Sequence, residues 1–265
     1  MSLLSRILEV KRQEVDVLCR QDRTPARREP IDVVRVLQRP KGAALRLIAE
    51  VKRHSPSAGA LSRKLAPGDR ALAYAESGAS MVSILCDGPF FDGSWEHLAQ
   101  ARASLDTRPE PVPILAKEFV IHERQIAEAR DHGADSVLLI ARIVTPARLA
   151  DLVAAARAER MEPVVEVVDE RELEAAAEAQ ARLVGVNARD LDTLQMDLAH
   201  AGRVLEGIPA SIVAIHLSGL REANDVAAIA RGRADAALVG EGLMRVDDPR
   251  PLLQRMAAAA REQRS

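Results

Sequence analysis

Four charged side chains stand at positions where apolar runs would ordinarily continue. Glu50 and Lys52 close the run that begins at Leu45, Lys117 closes the run from Val112, and Glu166 sits inside Val164-Val165-Glu166-Val167-Val168. Asn187, followed by Arg189 and Asp190, ends a fourth run, Ser218-Gly219 a fifth, and Gly240-Glu241-Gly242 a sixth. Singly, each has an ordinary explanation: a solvated strand end, a structural ion pair, a turn. Jointly, two lysines and two glutamates brought to one place are expensive to bury unless they pair or meet a charged ligand. An amine beside a carboxylate is an acid–base pair. Free backbone N–H groups at Ser218, Gly219, Gly240 and Glu241, with Lys52 adding positive charge, suit an anion such as phosphate. The pattern therefore points to an enzyme acting on a phosphorylated small molecule with a lysine and a carboxylate as acid and base.

These groups need a scaffold that gathers strand ends. Eight short apolar runs are spaced along the chain: Leu45–Val51, Met81–Cys86, Val112–Ala116, Ser136–Ala141, Pro163–Val168, Leu183–Asn187, Ile212–Leu217 and Ala236–Gly240. They read as parallel strands buried on both faces. Helical patterns follow them at Asp69–Ser77, Glu96–Ser104, Glu123–His132, Pro146–Arg160, Glu170–Gln180, Leu198–Leu205, Arg221–Arg231 and Pro249–Arg261. A faint repeat, Gly78-Ala79-Ser80, Gly133-Ala134-Asp135 and Arg233-Ala234-Asp235, precedes three of the strands, its glycines suited to helix C-caps. The spacing predicts an α/β fold, a (β/α)8 TIM barrel, with its active site at the C-terminal strand ends. An open doubly wound sheet is the alternative, but no GxGxxG motif follows the first strand. Ahead of the barrel, Leu4, Ile7, Leu8, Val15 and Leu18 form one helical stripe within residues 1–20. A charged loop follows over Arg23 to Pro30, then a short helix over Ile31 to Leu37. No linker divides the chain, so one domain is expected over 1–265, with 1–44 a helical extension and 45–265 the barrel.

The composition narrows the partners. Of 265 residues, 37 are Lys or Arg and 39 Asp or Glu, a formal net charge of −2, which excludes a basic nucleic-acid binder. Hydrophobic residues make up 48% and charged residues 29%, the balance of a soluble globular chain. Aromatics are only 2%, so the core must be built of Ala, Val, Leu and Ile. Cys19 and Cys86 make no disulfide framework, and no Cys/His pair has metal-ligand spacing. The opening MSLLSRILEVKRQE is charged and amphipathic, unlike a signal peptide, and no apolar run has membrane length. The expectation is a cytoplasmic enzyme, a monomer or weak homodimer, with no metal, no membrane and a small phosphorylated substrate as its partner.

Several segments carry a closer likeness. Ile48-Ala49-Glu50-Val51-Lys52-Arg53-His54-Ser55-Pro56-Ser57 resembles the first-strand motif of the indole-3-glycerol phosphate synthase family. The match continues through Cys86–Ser94, Pro113–Phe119, Val165-Glu166-Val167, Gly185–Leu191 and Val239–Met244, and takes in the N-terminal helix. The paired motifs E-x-K-x-x-S-P-S and N-x-R-D-L are specific. The resemblance implies the substrate 1-(2-carboxyphenylamino)-1-deoxyribulose 5-phosphate, closed to indole-3-glycerol phosphate with loss of CO2 and water, and no cofactor. It implies Lys117 as general acid and Glu50 as the group that orients and balances a lysine. Glu166, with Lys52, is implied for the dehydration, and Asn187 and Ser55 for holding substrate polar groups. Phe91 and Phe119 would pack beside the aromatic ring, and Arg189 would support the site or hold its loop through a carboxylate.

One departure matters. After the seventh strand the family usually reads E-S-G, its glutamate taking part in the site, and this chain reads Leu217-Ser218-Gly219. His216 is adjacent, but neighbouring strand residues point to opposite faces, so it does not replace the carboxylate. Glu118 stands where aspartate is commoner. Leu217 leaves two alternatives open: a divergent paralogue acting on a related sugar phosphate, and a non-enzymatic descendant that binds a ligand.

Overall fold

Runs of Val, Ile, Leu and Ala without polar alternation can bury both faces. In the computed structural model, which describes residues 2–23, 25, 28–190 and 195–261, eight such runs close into a parallel barrel. The strands are β1 (Arg46–Val51), β2 (Met81–Leu85), β3 (Ile114–Lys117), β4 (Ser136–Ile140), β5 (Val164–Val167), β6 (Leu183–Val186), β7 (Val213–His216) and β8 (Ala236–Val239). Neighbours pair in chain order, and Arg46 to Ala49 of β1 lie opposite Ala236 to Val239 of β8. All eight expected strands are present, most of them trimmed at their ends, while the third runs one residue further than expected, to Lys117. β3 starts at Ile114 because Pro113 has no N–H to give the ladder. β4 stops at Ile140, where the chain turns into a 3-10 turn over Ala141–Ile143.

Before the barrel come α1 (Leu3–Leu18) and α2 (Val33–Leu37); around it lie α3 (Pro67–Glu76), α4 (Trp95–Leu105), α5 (Glu123–Asp131), α6 (Pro146–Ala158), α7 (Glu170–Glu178), α8 (Leu198–Glu206), α9 (Ala223–Ala230) and α10 (Arg250–Ala259). α2 starts two residues later than its pattern suggested, since the Asp32 carboxylate caps it by accepting from Arg35 N–H at 3.1 Å. α9 likewise starts after Arg221, because the Asp225 carboxylate takes the N–H groups of Arg221 and Glu222. Two four-residue helical turns, Gly88–Phe91 and Glu241–Met244, and a small hairpin, His54–Ser55 with Gly59–Ala60, carry no clear signal in the sequence.

Strand alternation splits the apolar side chains into two shells. Leu47, Ala49 and Val51 of β1, and Val165 and Val167 of β5, face the helices. Ile48, Leu115, Val164, Leu183, Ile215 and Leu238 fill the barrel interior. Two residues further along the same strands stand Glu50, Lys117, Glu166, Gly185, Leu217 and Gly240. The period of 2 thus sets the chemical residues directly above the inner core layer.

The faint repeat marks half a barrel. The buried Asp135 carboxylate accepts from Ile114 N–H at 2.8 Å, and Asp235 accepts from Ala214 N–H at 2.9 Å. Each acid clips the preceding strand at the end opposite the active site and is balanced by arginine, Asp135 by Arg102 and Arg28, Asp235 by Arg233.

The extension reaches both ends of the barrel. Leu4 and Ile7 of α1 close the interior cluster at the C-terminal ends of the strands. Arg23 then pairs with Asp131 and Glu159 at the far ends of α5 and α6, and Ile31 N–H reaches Asp135 at 2.8 Å. Val33 and Leu37 plug the opposite end of the same cluster. Leu8 and Leu18, placed on the buried stripe by periodicity, are only partly covered, whereas Lys11 is fully buried on it. Among the described residues no helix is long and apolar enough to cross a membrane.

Candidate active site

The charged strand ends meet in one group. Glu50 and Lys52, two apart on β1 and its continuation, pair at 2.8 Å. Lys117 Nζ lies 3.7 Å from Glu166 Oε2, and Glu166 Oε1 accepts from Asn187 Nδ2 at 2.9 Å. Asn187 Oδ1 in turn accepts from Arg189 N–H at 3.0 Å, which fixes the amide so that its NH2 faces Glu166. Both glutamates are 1% exposed. Glu50 Oε2, Glu166 Oε2 and Ser218 Oγ are buried without a hydrogen bond, which leaves acceptor capacity for a ligand. A Cβ on residue 240 would lie 2.5 Å from Glu50 Oε1, so any larger residue there has to displace that carboxylate.

An aromatic wall stands beside this group. Phe91 and Phe119 have ring centroids 5.9 Å apart. Phe119 follows β3 directly after Lys117 and Glu118, while Phe91 ends the turn capped by Asp87, whose Oδ2 accepts from Phe90 and Phe91 N–H at 2.9 and 3.1 Å. Ser55 reaches the cavity; its Oγ accepts from Ala58 N–H at 3.0 Å and shares a hydrogen bond with Ser57 Oγ at 3.2 Å.

Ser218, Gly219, Gly240 and Glu241 line the same cavity. Gly219 has φ +92°, and a Cβ on it would lie 2.7 Å from Met196 Cε. The Glu241 carboxylate turns toward Arg245 at 2.7 Å and Arg221 at 3.7 Å. Burial pushes its pKa up, but these arginines and Lys52 more than offset that and hold it below the ordinary carboxylate value. His216 faces outward, as its parity required. Its Nε2–H donates to Ser218 O at 2.6 Å from behind the site, and burial lowers its pKa. Leu217 faces inward, 5% exposed, its Cδ1 2.5 Å from where a Cβ on Gly185 would sit. It joins Leu138, Ile140 and Leu238 as an apolar floor.

Every residue singled out in the sequence as catalytic, substrate-holding or phosphate-holding borders this one cavity, Arg189 included, which holds about 160 Å3 open to the centres of water molecules. Asp190 beside Arg189 pairs with Arg142 at 2.9 Å, and Leu191 of the same motif lies outside the described residues. Sequence reasoning missed Leu3, Leu4 and Ile7, which roof the cavity from α1, and Arg221, which lines it with Ser218, Gly219 and Glu241. The amphipathic stripe of α1 announces that the helix is covered without saying by what.

A sequence model of the family described as indole-3-glycerol phosphate synthase matches residues 4–256. The chain belongs to that family. The indole-3-glycerol phosphate synthase of Mycobacterium ulcerans (strain Agy99) is 40% identical over 230 residues, 87% of this chain and 82% of the relative. That of Mycobacteroides abscessus is 42% identical over 222 residues, 84% of this chain and 79% of the relative. Among solved structures, a crystal structure of 3-hexulose-6-phosphate synthase superposes with a TM-score of 0.63, covering 81% of this chain and 99% of that one. At 20% identity it shares the barrel alone. Family membership accounts for the motifs at β1, β3, β6 and β8 together.

Proposed function

We infer that the chain is an indole-3-glycerol phosphate synthase. It closes the ring of 1-(2-carboxyphenylamino)-1-deoxyribulose 5-phosphate and releases CO2 and water. The observation that carries the mechanism is the Lys117–Glu166–Asn187 group facing the Glu50–Lys52 pair across one cavity. The aromatic carbon that bears the carboxylate attacks the ketone carbon, and Lys117 delivers a proton to the carbonyl oxygen as the new bond forms. The carboxylate leaves as CO2, and its bonding pair restores the aromatic ring. The hydroxyl made from the ketone then leaves as water with a second proton, while a proton is removed from the carbon next to the anilino nitrogen. Glu166 makes that removal, with Lys52 as the acid. Glu50 holds Lys52, and Asn187 and Ser55 hold substrate polar groups. Phe91 and Phe119 hold the aryl ring, Arg189 supports the loop after β6, and the phosphate rests on the backbone of Ser218, Gly219, Gly240 and Glu241 with Lys52 near it.

Residues 1–265 act as one unit on this reading, since α1 supplies part of the cavity wall. The unpaired cysteines fit a cytoplasmic enzyme. The few exposed large apolar side chains among the described residues, Val17, Met196 and Leu198, fit a monomer or weak homodimer. The deciding experiment is incubation of purified protein with the anilino-deoxyribulose phosphate while indole fluorescence is followed. Its appearance in proportion to enzyme establishes the activity, and its absence with properly folded protein rejects it in favour of another sugar phosphate.

A further inference from the structure

A lysine with no solvent exposure lies on the inner face of α1. Lys11 Nζ is 2.7 Å from Asp87 Oδ1, 3.0 Å from Glu118 Oε1 and 2.7 Å from Glu14 Oε2. Asp87 and Glu118 are buried as well, and each has a second task. Asp87 holds the N–H groups of Phe90 and Phe91, and Glu118 accepts from Phe119 N–H at 2.7 Å. One ammonium therefore ties three pieces together: the turn that carries Phe91, the strand end that carries Lys117 and Phe119, and the helix that carries Leu3, Leu4 and Ile7. Apolar residues in place of the whole cluster would seat α1 as firmly, because buried ion pairs add little net stability. What the ammonium adds is direction.

We propose that Lys11 is a positioning residue for the aryl half of the site, fixing Phe91, Phe119 and the end of β3 relative to one another from beneath α1. Burial opposes the charge on Lys11, but Glu118 and Asp87 more than offset it and keep the amine protonated above its ordinary range.

The kinetic part of the test rests on the synthase reading, and the exchange part does not. The variants are Lys11→Met, Lys11→Arg, Lys11→Met with Glu118→Gln, and Arg12→Met, a control on the exposed face of the same helix. The readouts are amide exchange over 87–91 and 117–120, kcat/KM for the anilino substrate, and the competitive inhibition constant of inorganic phosphate. Lys11→Met is expected to speed exchange in both segments and to lower kcat/KM by about 10²-fold, the scale of a small misplacement of reacting groups. The phosphate constant stays unchanged. Lys11→Arg recovers part of the loss, and Arg12→Met does nothing. The double variant guards against simple unfolding, since it removes one uncompensated buried carboxylate; it regains stability but not kcat/KM. Unchanged exchange in both segments overturns the proposal. So does a joint worsening of phosphate binding and kcat/KM, or recovery of kcat/KM along with stability in the double variant. If the wild-type chain does not turn over the substrate, the synthase reading has failed and the exchange measurement alone decides the role of Lys11.

Discussion

Replacing Leu217 by glutamate tests whether the floor of the cavity has lost a working carboxylate. Leu217 is 5% exposed and overlies Gly185, which has no Cβ to obstruct a longer side chain. Its outer edge borders the same cavity as Lys52 and Lys117, so a glutamate has cations within the site to face. The gain is that of a charged hydrogen bond formed as charge develops, roughly 1.5–3 kcal/mol, or about 10- to 150-fold in rate. The cost is the lost burial of an isobutyl group, roughly 1.5–3 kcal/mol. At about 2–4 °C per kcal/mol for a chain of this size, the melting temperature should fall by about 3–12 °C. The assay is kcat and KM by indole fluorescence, with a thermal melt on the same preparation. Higher kcat/KM with a fall in that range supports a weakened synthase. A folded Leu217→Glu protein whose kcat/KM is unchanged or lower refutes the reasoning, and shows that the site has been rebuilt around leucine.

Lys117→Met keeps the length of the side chain and removes its proton; the rate should fall by at least about 10²-fold at an unchanged melting temperature, and a variant that keeps most of the rate removes Lys117 from the mechanism. Inorganic phosphate should compete with substrate, and Gly240→Ala, whose methyl would press on Glu50 Oε1, should lower activity; purely non-competitive inhibition by phosphate counts against the anion site. Burial, aided by Asp87 and only partly offset by Lys11, pushes the Glu118 carboxyl from 4.5 up to about 7. A folded-state pKa above the unfolded value means that its stabilising contribution is full below about 4.5 and is lost as pH rises through about 7. Melts from about pH 5 to about pH 8 should therefore show wild type losing ground to Glu118→Gln as pH rises, and a gap independent of pH would refute the assignment.

The barrel and the inner ring of the site were legible because both follow from periodicity. A charge inside an apolar run, as at Glu166, has to face either helices or lumen, and the parity shared by Glu50, Lys117 and Leu217 sends all of them to the lumen. The opposite parity sent His216 outward, where its hydrogen bond to the Ser218 carbonyl braces the loop after β7. What stayed hidden depends on which surfaces meet. Lys11 sits on a helical stripe where only apolar residues were expected, and nothing local announces that Asp87 and Glu118, far along the chain, surround it. The turn over Gly88–Phe91 is too short to show a period, and its helical form depends on the Asp87 carboxylate. Resemblance to the family implied roles for the residues at the strand ends; parity explains why those residues can share one cavity.

The extension that caps both ends of the barrel makes this a site assembled by a tether. α1 reaches the mouth from the same segment whose Val33 and Leu37 are lodged at the other end, and the chain between them is pinned by Arg23 to α5 and α6. Docking of α1 is thus an intramolecular event, and a short tether supplies an effective concentration on the order of mM. A single nick between Leu18 and Val33 would leave every covalent part of the barrel in place and still dilute the roof of the cavity away. The severed helix would have to be returned as a free peptide at a comparable concentration to rebuild that roof, which makes the chain a natural candidate for division into two complementing fragments.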